Sequence, residues 1–174
     1  EINVSNALFI NTYTIANGTV QLEATKTLTG RELKAYEFDF VITDTNGNIV
    51  ATGDNSEDKA AGVASKITFG TIGYTHNDFA SGATDNGNGT RSKEFTYWMT
   101  ELTSPGNAVV SGIDFDDSRF KVVVTVTENG FGTMSTAVKY YKLNAAATVG
   151  STNLNDYTTE VMTPNFINEY SATP

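Results

Sequence analysis

Cysteine is absent from the 174-residue sequence, and histidine occurs once, at His76. Disulfides, thiolate metal sites and cysteine nucleophiles are therefore excluded together. A multi-histidine metal centre is excluded as well, and a Ser-His-Asp triad would depend on His76 alone. This residue lies in a polar stretch between strand-like segments, which predicts a surface loop. We expect no enzyme that turns over outside substrates.

Positive charge is scarce, since 11 Lys and Arg stand against 20 Asp and Glu and the net charge is −9. Nucleic acid and anionic membrane surfaces are not expected partners, because both are bound through clustered basic side chains. No apolar run reaches the roughly 18 residues that a membrane-spanning helix needs. The chain starts at Glu1 without a signal-peptide pattern, and we expect a fragment of a longer, exported protein.

Apolar and polar residues alternate with a period of two through most of the chain, as they do in half-buried strands. Turn-forming pairs separate the alternating segments, for example Asn17-Gly18, Asn46-Gly47 and Asn129-Gly130. The pattern predicts strands at 20–28, 36–43, 48–52, 63–69, 94–102, 119–127, 132–142 and 160–170. About eight strands in a chain of this length favour an all-β, immunoglobulin-like Greek-key β-sandwich.

Four oxygen-rich segments invite comparison with calcium-binding loops, at 44–47, 53–58, 85–89 and 114–118. None of them completes the spaced Asp/Asn pattern with a distal Glu that an EF-hand loop requires. Asp, Asn and Gly are also the residues that tight turns prefer. We therefore predict turns at these positions and no metal site.

One short sequence occurs twice, as FINTY at 9–13 and as FINEY at 166–170. The two copies lie about 157 positions apart (168 minus 11), the length of one domain with a linker. We interpret residues 1–15 as the closing strand of a preceding repeat, or a linker, and residues 16–174 as one full domain. The expected partners are then the neighbouring repeats of the same array.

Three polar residues fall on strand faces that are otherwise apolar. Lys26, Glu101 and Asn168 each alternate in phase with apolar neighbours on their own strand. These neighbours are Val20, Leu22, Ala24 and Leu28 for the lysine, Phe95, Tyr97 and Met99 for the glutamate, and Met162, Phe166 and Tyr170 for the asparagine. The pattern places an amine, a carboxyl and an amide in the core, with an aromatic shell of Phe95, Tyr97, Phe166 and Tyr170.

Because an isolated buried charge is prohibitive, the three polar groups should meet. In one interpretation, Lys26 and Glu101 form a buried salt bridge to which Asn168 is hydrogen-bonded. In the other, burial lowers the pKa of the lysine and raises that of the glutamate, so that both become neutral. Lys26 then attacks the side-chain carbonyl carbon of Asn168, while Glu101 hydrogen-bonds the amide oxygen and relays a proton to the departing nitrogen. Ammonia leaves and a Lys–Asn isopeptide bond remains, without a cofactor and once per molecule.

Over about 24–170, the chain resembles the isopeptide-linkage domain of streptococcal-type pilins and related Gram-positive surface proteins. The segments that carry the resemblance are ATKTLTGRELKAYEFDFVI (24–42), ITFGTIGYT (67–75), FTYWMTEL (95–102), RFKVVVTVTENGFGTMSTAVKYY (119–141) and FINEY (166–170). The resemblance implies that Lys26 is the bond-forming lysine of a K-x-L-x-G motif, Asn168 the asparagine of F-x-N-x-Y, and Glu101 the catalytic acid of Y-x-x-x-E. It also implies a B-type collagen-adhesin sandwich with adjacent, parallel first and last strands.

Asn11 competes with Asn168 for the bond. If Asn17-Gly18 closes a two-residue hairpin, Asn11 lies diagonal to Lys26 on the same face, at ~7–8 Å. We prefer Asn168, because in a tandem array each unit's last strand must be locked to its own first strand.

Together with the resemblance, these observations predict a structural shaft or stalk module of a Gram-positive, cell-wall-attached surface protein outside the cell, held by an autocatalytic crosslink. The resemblance implies that neighbouring repeats or pilin subunits of the same surface assembly are its partners. The sequence contains no C-terminal sorting motif, hydrophobic tail or Y-P-K pilin motif, so we do not extend the expectation to sortase polymerisation. The alternative is an adhesin domain on the same sandwich that binds a carbohydrate or a host protein.

Overall fold

The alternating segments form strands throughout the part of the chain that the computed structural model describes, which is residues 14–103, 111–130 and 132–172. Two short 3-10 helices, His76–Phe79 and Leu154–Asp156, interrupt the strands. No helix within the described ranges has the length and apolar character to cross a membrane. The strands are β1 (Gly18–Val20), β2 (Glu23–Thr29), β3 (Asp39–Asp44), β4 (Ile49–Asn55), β5 (Ser65–Phe69), β6 (Ile72–Tyr74), β7 (Thr84–Asp85), β8 (Arg91–Glu101), β9 (Ile113–Asp114), β10 (Arg119–Glu128), β11 (Met134–Lys142), β12 (Thr159–Val161) and β13 (Asn165–Tyr170).

Seven of the eight predicted strands are confirmed, as β2, β3, β4, β5, β8, β10 and β11, and the later part of the eighth, 160–170, corresponds to β13. The prediction was wrong in treating 160–170 as one strand. A turn between β12 and β13 breaks it, and Met162 in that turn is 96% exposed instead of facing the core. The physical reason is that β12 extends the ladder beside β11, while β13 pairs with β2 on the far side of the fold.

Within the described residues, an eleven-stranded sheet curls into a β-sandwich, with ten of its strands in one hydrogen-bonded ladder, in the order β12-β11-β10-β8-β3-β4-β5-β2-β13-β9, and β7 paired with β8 beside it. Strands β1 and β6 pair with each other in a separate sheet. Strand β4 connects the two layers, because it pairs with β3 on one edge and β5 on the other. Side chains at opposite ends of the ladder meet across the interior. The Tyr140 hydroxyl on β11, for example, accepts a hydrogen bond of 2.8 Å from the backbone N–H of Glu23 on β2. The all-β, immunoglobulin-like sandwich is therefore the fold of the described chain.

Alternation creates the core between the two layers. On β10, Val122, Val124 and Val126 are completely buried, while the residues between them are only half-buried. The predicted inward set is confirmed, with each of its members less than a tenth exposed: Val20 at the end of β1, Leu22 just before β2, and Ala24, Lys26 and Leu28 on β2. Burying each large apolar side chain contributes about 1.5–3 kcal/mol to the stability of the fold. This stability can offset the cost of burying a few polar groups in the interior.

Strand β2 lies between β5 and β13. It pairs with β5 in antiparallel fashion, and with β13 in parallel, where Lys26 lies opposite Phe166 and Leu28 opposite Asn168. Side chains two residues apart on a strand point to the same face. The parallel register therefore brings Lys26 and Asn168 to the same inner face of neighbouring strands.

The hairpin expected at Asn17-Gly18 is not formed. Gly18 is the first residue of β1 and pairs with Tyr74 of β6. Both edges of β2 at Thr25 and Lys26 are already paired, with β5 and β13, so no edge is left there for the hairpin partner. Asn11 itself lies outside the described residues.

The acid-rich segment at 44–47 is a turn, as predicted. One carboxylate oxygen of Asp44 accepts hydrogen bonds from the backbone N–H groups of Asn46 and Asn48, both at 2.9 Å. Hydrogen bonds from the Asn48 side chain and backbone lower the pKa of Asp44 below its ordinary value. Asp85 caps Gly87 in the same way at 2.8 Å. These oxygens are therefore used in closing the β3–β4 and β7–β8 connections.

Gly30 sits where the ends of β2 and β13 approach each other. Its φ is +82°, a left-handed conformation, and a Cβ added there would lie 2.0 Å from the backbone oxygen of Tyr170. Gly62 has a similar φ of +77°, but an added Cβ would have nothing within 4 Å. Substituting alanine at Gly62 therefore adds only the strain of the left-handed backbone, whereas at Gly30 it adds the same strain and a steric clash with β13.

We predict that Gly30→Ala lowers the free energy of unfolding by several kcal/mol, whereas Gly62→Ala lowers it by only about 1 kcal/mol. The difference arises because a methyl group at position 30 must push β13 away from β2. Urea unfolding of both variants, followed by tryptophan fluorescence, measures it. Equal losses in the two variants would show that the close approach of Gly30 to Tyr170 contributes nothing.

Candidate functional site

Lys26, Glu101 and Asn168 meet in the interior. The Lys26 Nζ atom lies 2.7 Å from Oε1 and 2.9 Å from Oε2 of Glu101. The side-chain nitrogen of Asn168 donates to the same Oε1 atom at 2.9 Å. Lys26 and Asn168 are completely buried, as is the carboxyl of Glu101. The amine, acid and amide predicted on separate strand faces thus form one cluster.

Each layer of the sandwich supplies part of this cluster. Lys26 and Asn168 come from the parallel pair β2 and β13, and Glu101 comes from the end of β8 in the opposite layer. Glu101 lies opposite Phe40 in the β3–β8 ladder, and this register sets where along β8 the carboxyl points into the core. The polar groups can meet only when the two layers have closed on each other.

Aromatic rings enclose the cluster. The Lys26 amine lies 4.6 Å from the centre of the Phe38 ring. Phe166 packs between Phe40 and Phe120, with ring centres 5.2 Å and 5.1 Å apart. Phe115 packs edge-on against Phe38 at 6.0 Å. The amine is therefore held among hydrocarbon groups, with Glu101 as its charged partner.

The predicted aromatic shell is only partly correct. Phe166 is part of it, and Tyr170 lies half-buried at the end of β13 under Arg31. The contacts of Tyr97 and Phe95 are instead with Tyr74, through a 3.1 Å hydroxyl contact and a 4.7 Å ring contact. They share a face with Glu101 but sit four and six residues away, or about 13 and 20 Å along an extended strand.

Sequence reasoning missed Phe38, Phe40 and Phe120. Phe38 and Phe120 each stand between two charged residues in the predicted strands 36–43 and 119–127, and Phe40 follows in phase with Phe38, so their inward direction could have been read from the pattern. Their nearness to Lys26 could not, because it depends on which strands face each other across the sandwich.

Burial shifts both titratable groups toward their neutral forms. Loss of solvent lowers the pKa of Lys26 to about 8, although the attraction of Glu101 opposes this shift. Loss of solvent also raises the pKa of Glu101, against the opposing effects of Lys26 and of the hydrogen bond from Asn168. The two pKa values approach each other, so transfer of a proton from the ammonium to the carboxylate requires less free energy than it does in water.

The orientation of the Asn168 amide is fixed by a backbone group. The N–H of Asp116 donates to Oδ1 of Asn168 at 2.7 Å. A backbone N–H can only donate, so the amide oxygen faces Asp116 and the amide nitrogen faces Glu101. The expectation that Glu101 hydrogen-bonds the amide oxygen is therefore wrong for this arrangement. Glu101 contacts the two nitrogen atoms, of which one would attack and the other would leave.

The remaining polar candidates have structural partners. Asn165, one position off in the alternation, accepts hydrogen bonds from the hydroxyls of Thr25 and Thr27 at 3.0 and 3.1 Å. His76 is more than half exposed and contacts Glu128, in agreement with the predicted surface position. Within the described ranges, no group of three or more His, Asp or Glu side chains is placed to hold a metal ion.

Comparison with known proteins agrees with this geometry. Residues 22–171 match the family described as FctA, the Spy0128-like isopeptide containing domain. The chain belongs to this family. It is therefore a pilin-type, isopeptide-containing module, and the family indicates a protein of the cell surface. Comparison with curated proteins gives no significant match.

The buried lysine leads to a prediction about stability and pH. In Glu101→Gln, Lys26 loses its charged partner, and its folded-state pKa falls below the value of about 8, far under the ordinary 10.5. The unfolded chain then binds more protons than the folded chain between these two values. We expect the free energy of unfolding of Glu101→Gln to rise with pH through this window and to be lowest below it.

The double variant Lys26→Met/Glu101→Gln is the matched control, because it has the same amide at 101 and no buried amine. Its stability should lack the rise that Lys26 causes in this window, and below the window it should exceed that of Glu101→Gln. Urea unfolding at a series of pH values measures both. Parallel pH profiles for the two variants would contradict the assignment of a strongly lowered pKa to Lys26.

Proposed function

We propose that this domain is a structural shaft or stalk module of a Gram-positive, cell-wall-attached pilus or adhesin, and that an isopeptide bond between Lys26 and Asn168 holds it together. One observation carries the proposal: Oε1 of Glu101 contacts both the Lys26 amine and the Asn168 amide nitrogen, at 2.7 and 2.9 Å. The attacking and leaving nitrogens thus share one carboxyl oxygen.

The chemistry follows from that shared contact. Proton transfer to Glu101 leaves Lys26 as a neutral amine, whose lone pair attacks Cγ of Asn168. The new C–N bond forms as the amide becomes tetrahedral. Glu101 then gives a proton to the Asn168 nitrogen and takes one from the Lys26 nitrogen. The bond to the Asn168 nitrogen breaks, one ammonia leaves, and a secondary amide remains.

The fold supplies what this reaction needs. Parallel pairing of β2 with β13 brings the reacting groups together, and such positioning can be worth an effective concentration of about 10⁵ M or more. The chain's own residues supply the acid, the base and the nucleophile, so the proposed reaction uses no cofactor. Because the product is the protein itself, the reaction occurs once and has no turnover.

A bond between 26 and 168 would close most of the domain into one covalent loop. By analogy with disulfides, such a loop adds on the order of 5 kcal/mol to stability. It would also join the first long strand to the last one, β2 to β13, which lie side by side. Tension that enters through one terminal strand would then leave through the other by way of the bond. The neighbouring repeats or pilin subunits of the same assembly are the proposed source of that tension.

We predict that the purified domain is lighter than its sequence mass by one ammonia. Lys26→Ala, Glu101→Gln and Asn168→Ala should each restore the full mass, because each removes a participant in the reaction. Intact-mass spectrometry under denaturing conditions measures this, and peptide mapping locates the joined residues.

Two asparagine variants are the controls. Asn165→Ala and Asn11→Ala should both retain the mass loss. Asn165 faces away from Lys26, and Asn11 takes no part in the bond if Asn168 is the partner. If Asn11→Ala restores the full mass and Asn168→Ala does not, the bond partner is Asn11 and the proposed pairing is wrong. Full mass in the wild-type protein would contradict the crosslink altogether.

The mechanical role leads to a separate prediction. When the domain is pulled from its two ends, the wild-type chain should not extend between 26 and 168. Glu101→Gln should release that segment, which at about 3.4 Å per residue is roughly 480 Å of contour. Single-molecule force spectroscopy measures the extension of the wild-type protein and of Glu101→Gln. An equal extension in both proteins would refute a bond that carries the tension.

A ligand-binding adhesin domain is the second candidate. A groove of about 430 Å³ beside β13, lined in part by Arg119, Tyr157, Val161 and Ile167, supports it. Glycan and matrix-protein arrays with the wild-type domain test this role, with Ile167→Asp as the variant that should abolish any signal arising from the groove.

A further inference from the structure

The amide oxygen of Asn168 has a hydrogen-bond partner that lies outside all three sequence motifs of the site. It accepts a 2.7 Å hydrogen bond from the backbone N–H of Asp116, in the segment between β9 and β10. When an amine attacks an amide, negative charge develops on this oxygen. A donor already aimed at the oxygen stabilises the tetrahedral state more than the starting amide.

The side chain of Asp116 holds that donor in place. One carboxylate oxygen accepts from the backbone N–H of Ile167 on β13 at 2.6 Å, and the other accepts from the backbone N–H of Ser118 at 2.8 Å. The ladder between β9 and β13 covers only Glu169 and Tyr170. Asp116 therefore extends the attachment of this segment along β13, to the residue directly before Asn168.

We propose that the backbone N–H of Asp116 is the oxyanion donor of the crosslinking reaction, and that the Asp116 carboxylate is a positioning group that aims it. This inference rests on the proposed Lys26–Asn168 bond. As the Lys26 nitrogen bonds to Cγ, the π electron pair of the carbonyl moves onto Oδ1, where the Asp116 N–H stabilises it. The pair returns when the bond to the Asn168 nitrogen breaks, and ammonia leaves with the proton from Glu101.

The roles in the site then divide cleanly. Glu101 contacts both nitrogens and moves protons between them, while Asp116 donates to the amide oxygen, moves no proton, and acts on Lys26 and Glu101 only through its charge. The division explains why the amide is oriented with its nitrogen toward the acid. An amide turned the other way would place its NH₂ group against the N–H of Asp116, two donors without an acceptor.

The test is the rate of ammonia loss after refolding. Unfolded, uncrosslinked chain is recovered from inclusion bodies in denaturant, diluted into native buffer, quenched at intervals with acid, and weighed by intact-mass spectrometry. The variants are Asp116→Ala, which loses both acceptor oxygens, Asp116→Asn, which keeps one, and Asp117→Ala as the matched control. Asp117 is the adjacent acid and is exposed, so its removal changes the local charge without touching β13.

We expect Asp117→Ala to react at the wild-type rate and Asp116→Ala to react about tenfold more slowly or worse, since loss of one oxyanion donor slows acyl-transfer enzymes by about 10²–10³. Asp116→Asn should fall between them. The folded fraction of each variant is measured in the Glu101→Gln background, where no bond forms, and rates are compared under conditions in which every variant is folded. A loss of stability alone would leave these rates equal.

The outcomes separate this inference from the proposed function. If the wild-type chain never loses ammonia, the proposed crosslink itself is wrong. If the wild-type chain does lose ammonia and Asp116→Ala loses it at the same rate, the crosslink stands and the role of Asp116 is refuted. If Asp116→Ala does not fold, Asp116→Asn decides: a slower rate supports the positioning role, and the wild-type rate overturns it.

Discussion

The burial of the Lys26 amine against Glu101 is the contact on which the rest of the site depends. An ammonium among phenylalanine rings is tolerable only beside a carboxylate, and both groups are driven toward neutrality by the loss of water. A hydrophobic pair of similar size would pack at least as well, so stability alone does not account for this arrangement. In the proposed reaction, its chemical value would be a neutral amine, a nucleophile held beside the amide of Asn168.

The topology serves that contact. Closing the ladder on itself brings Glu101 of β8 over the β2–β13 pair, and the parallel register of that pair sets Lys26 and Asn168 on one face. The three groups meet only in the folded state, because none of them is near another in the sequence. The proposed reaction would therefore stabilise only correctly folded chains, as suits the proposed shaft or stalk module.

Much of this could be predicted from the sequence, because strand alternation is a local signal. Alternation predicted the positions of the long strands, apart from the break within 160–170, and the inward direction of Lys26, Glu101 and Asn168. What could not be predicted depends on pairing between distant strands. The break at Met162, the absence of a hairpin at Asn17-Gly18 and the displacement of Tyr97 from the site all follow from strand neighbours. The contact of Asp116 with Asn168 could not be predicted for another reason. It is made by a backbone N–H, which every residue except proline has, so no sequence motif marks it.

The most direct test of the account is an atomic-resolution crystal structure of the wild-type domain, collected at low dose to avoid radiation damage. The account predicts continuous electron density from Nζ of Lys26 to Cγ of Asn168, no density for the former amide nitrogen, and the new carbonyl oxygen hydrogen-bonded to the N–H of Asp116. Separate lysine and asparagine side chains, each complete and in hydrogen-bonding contact with Glu101, would contradict it.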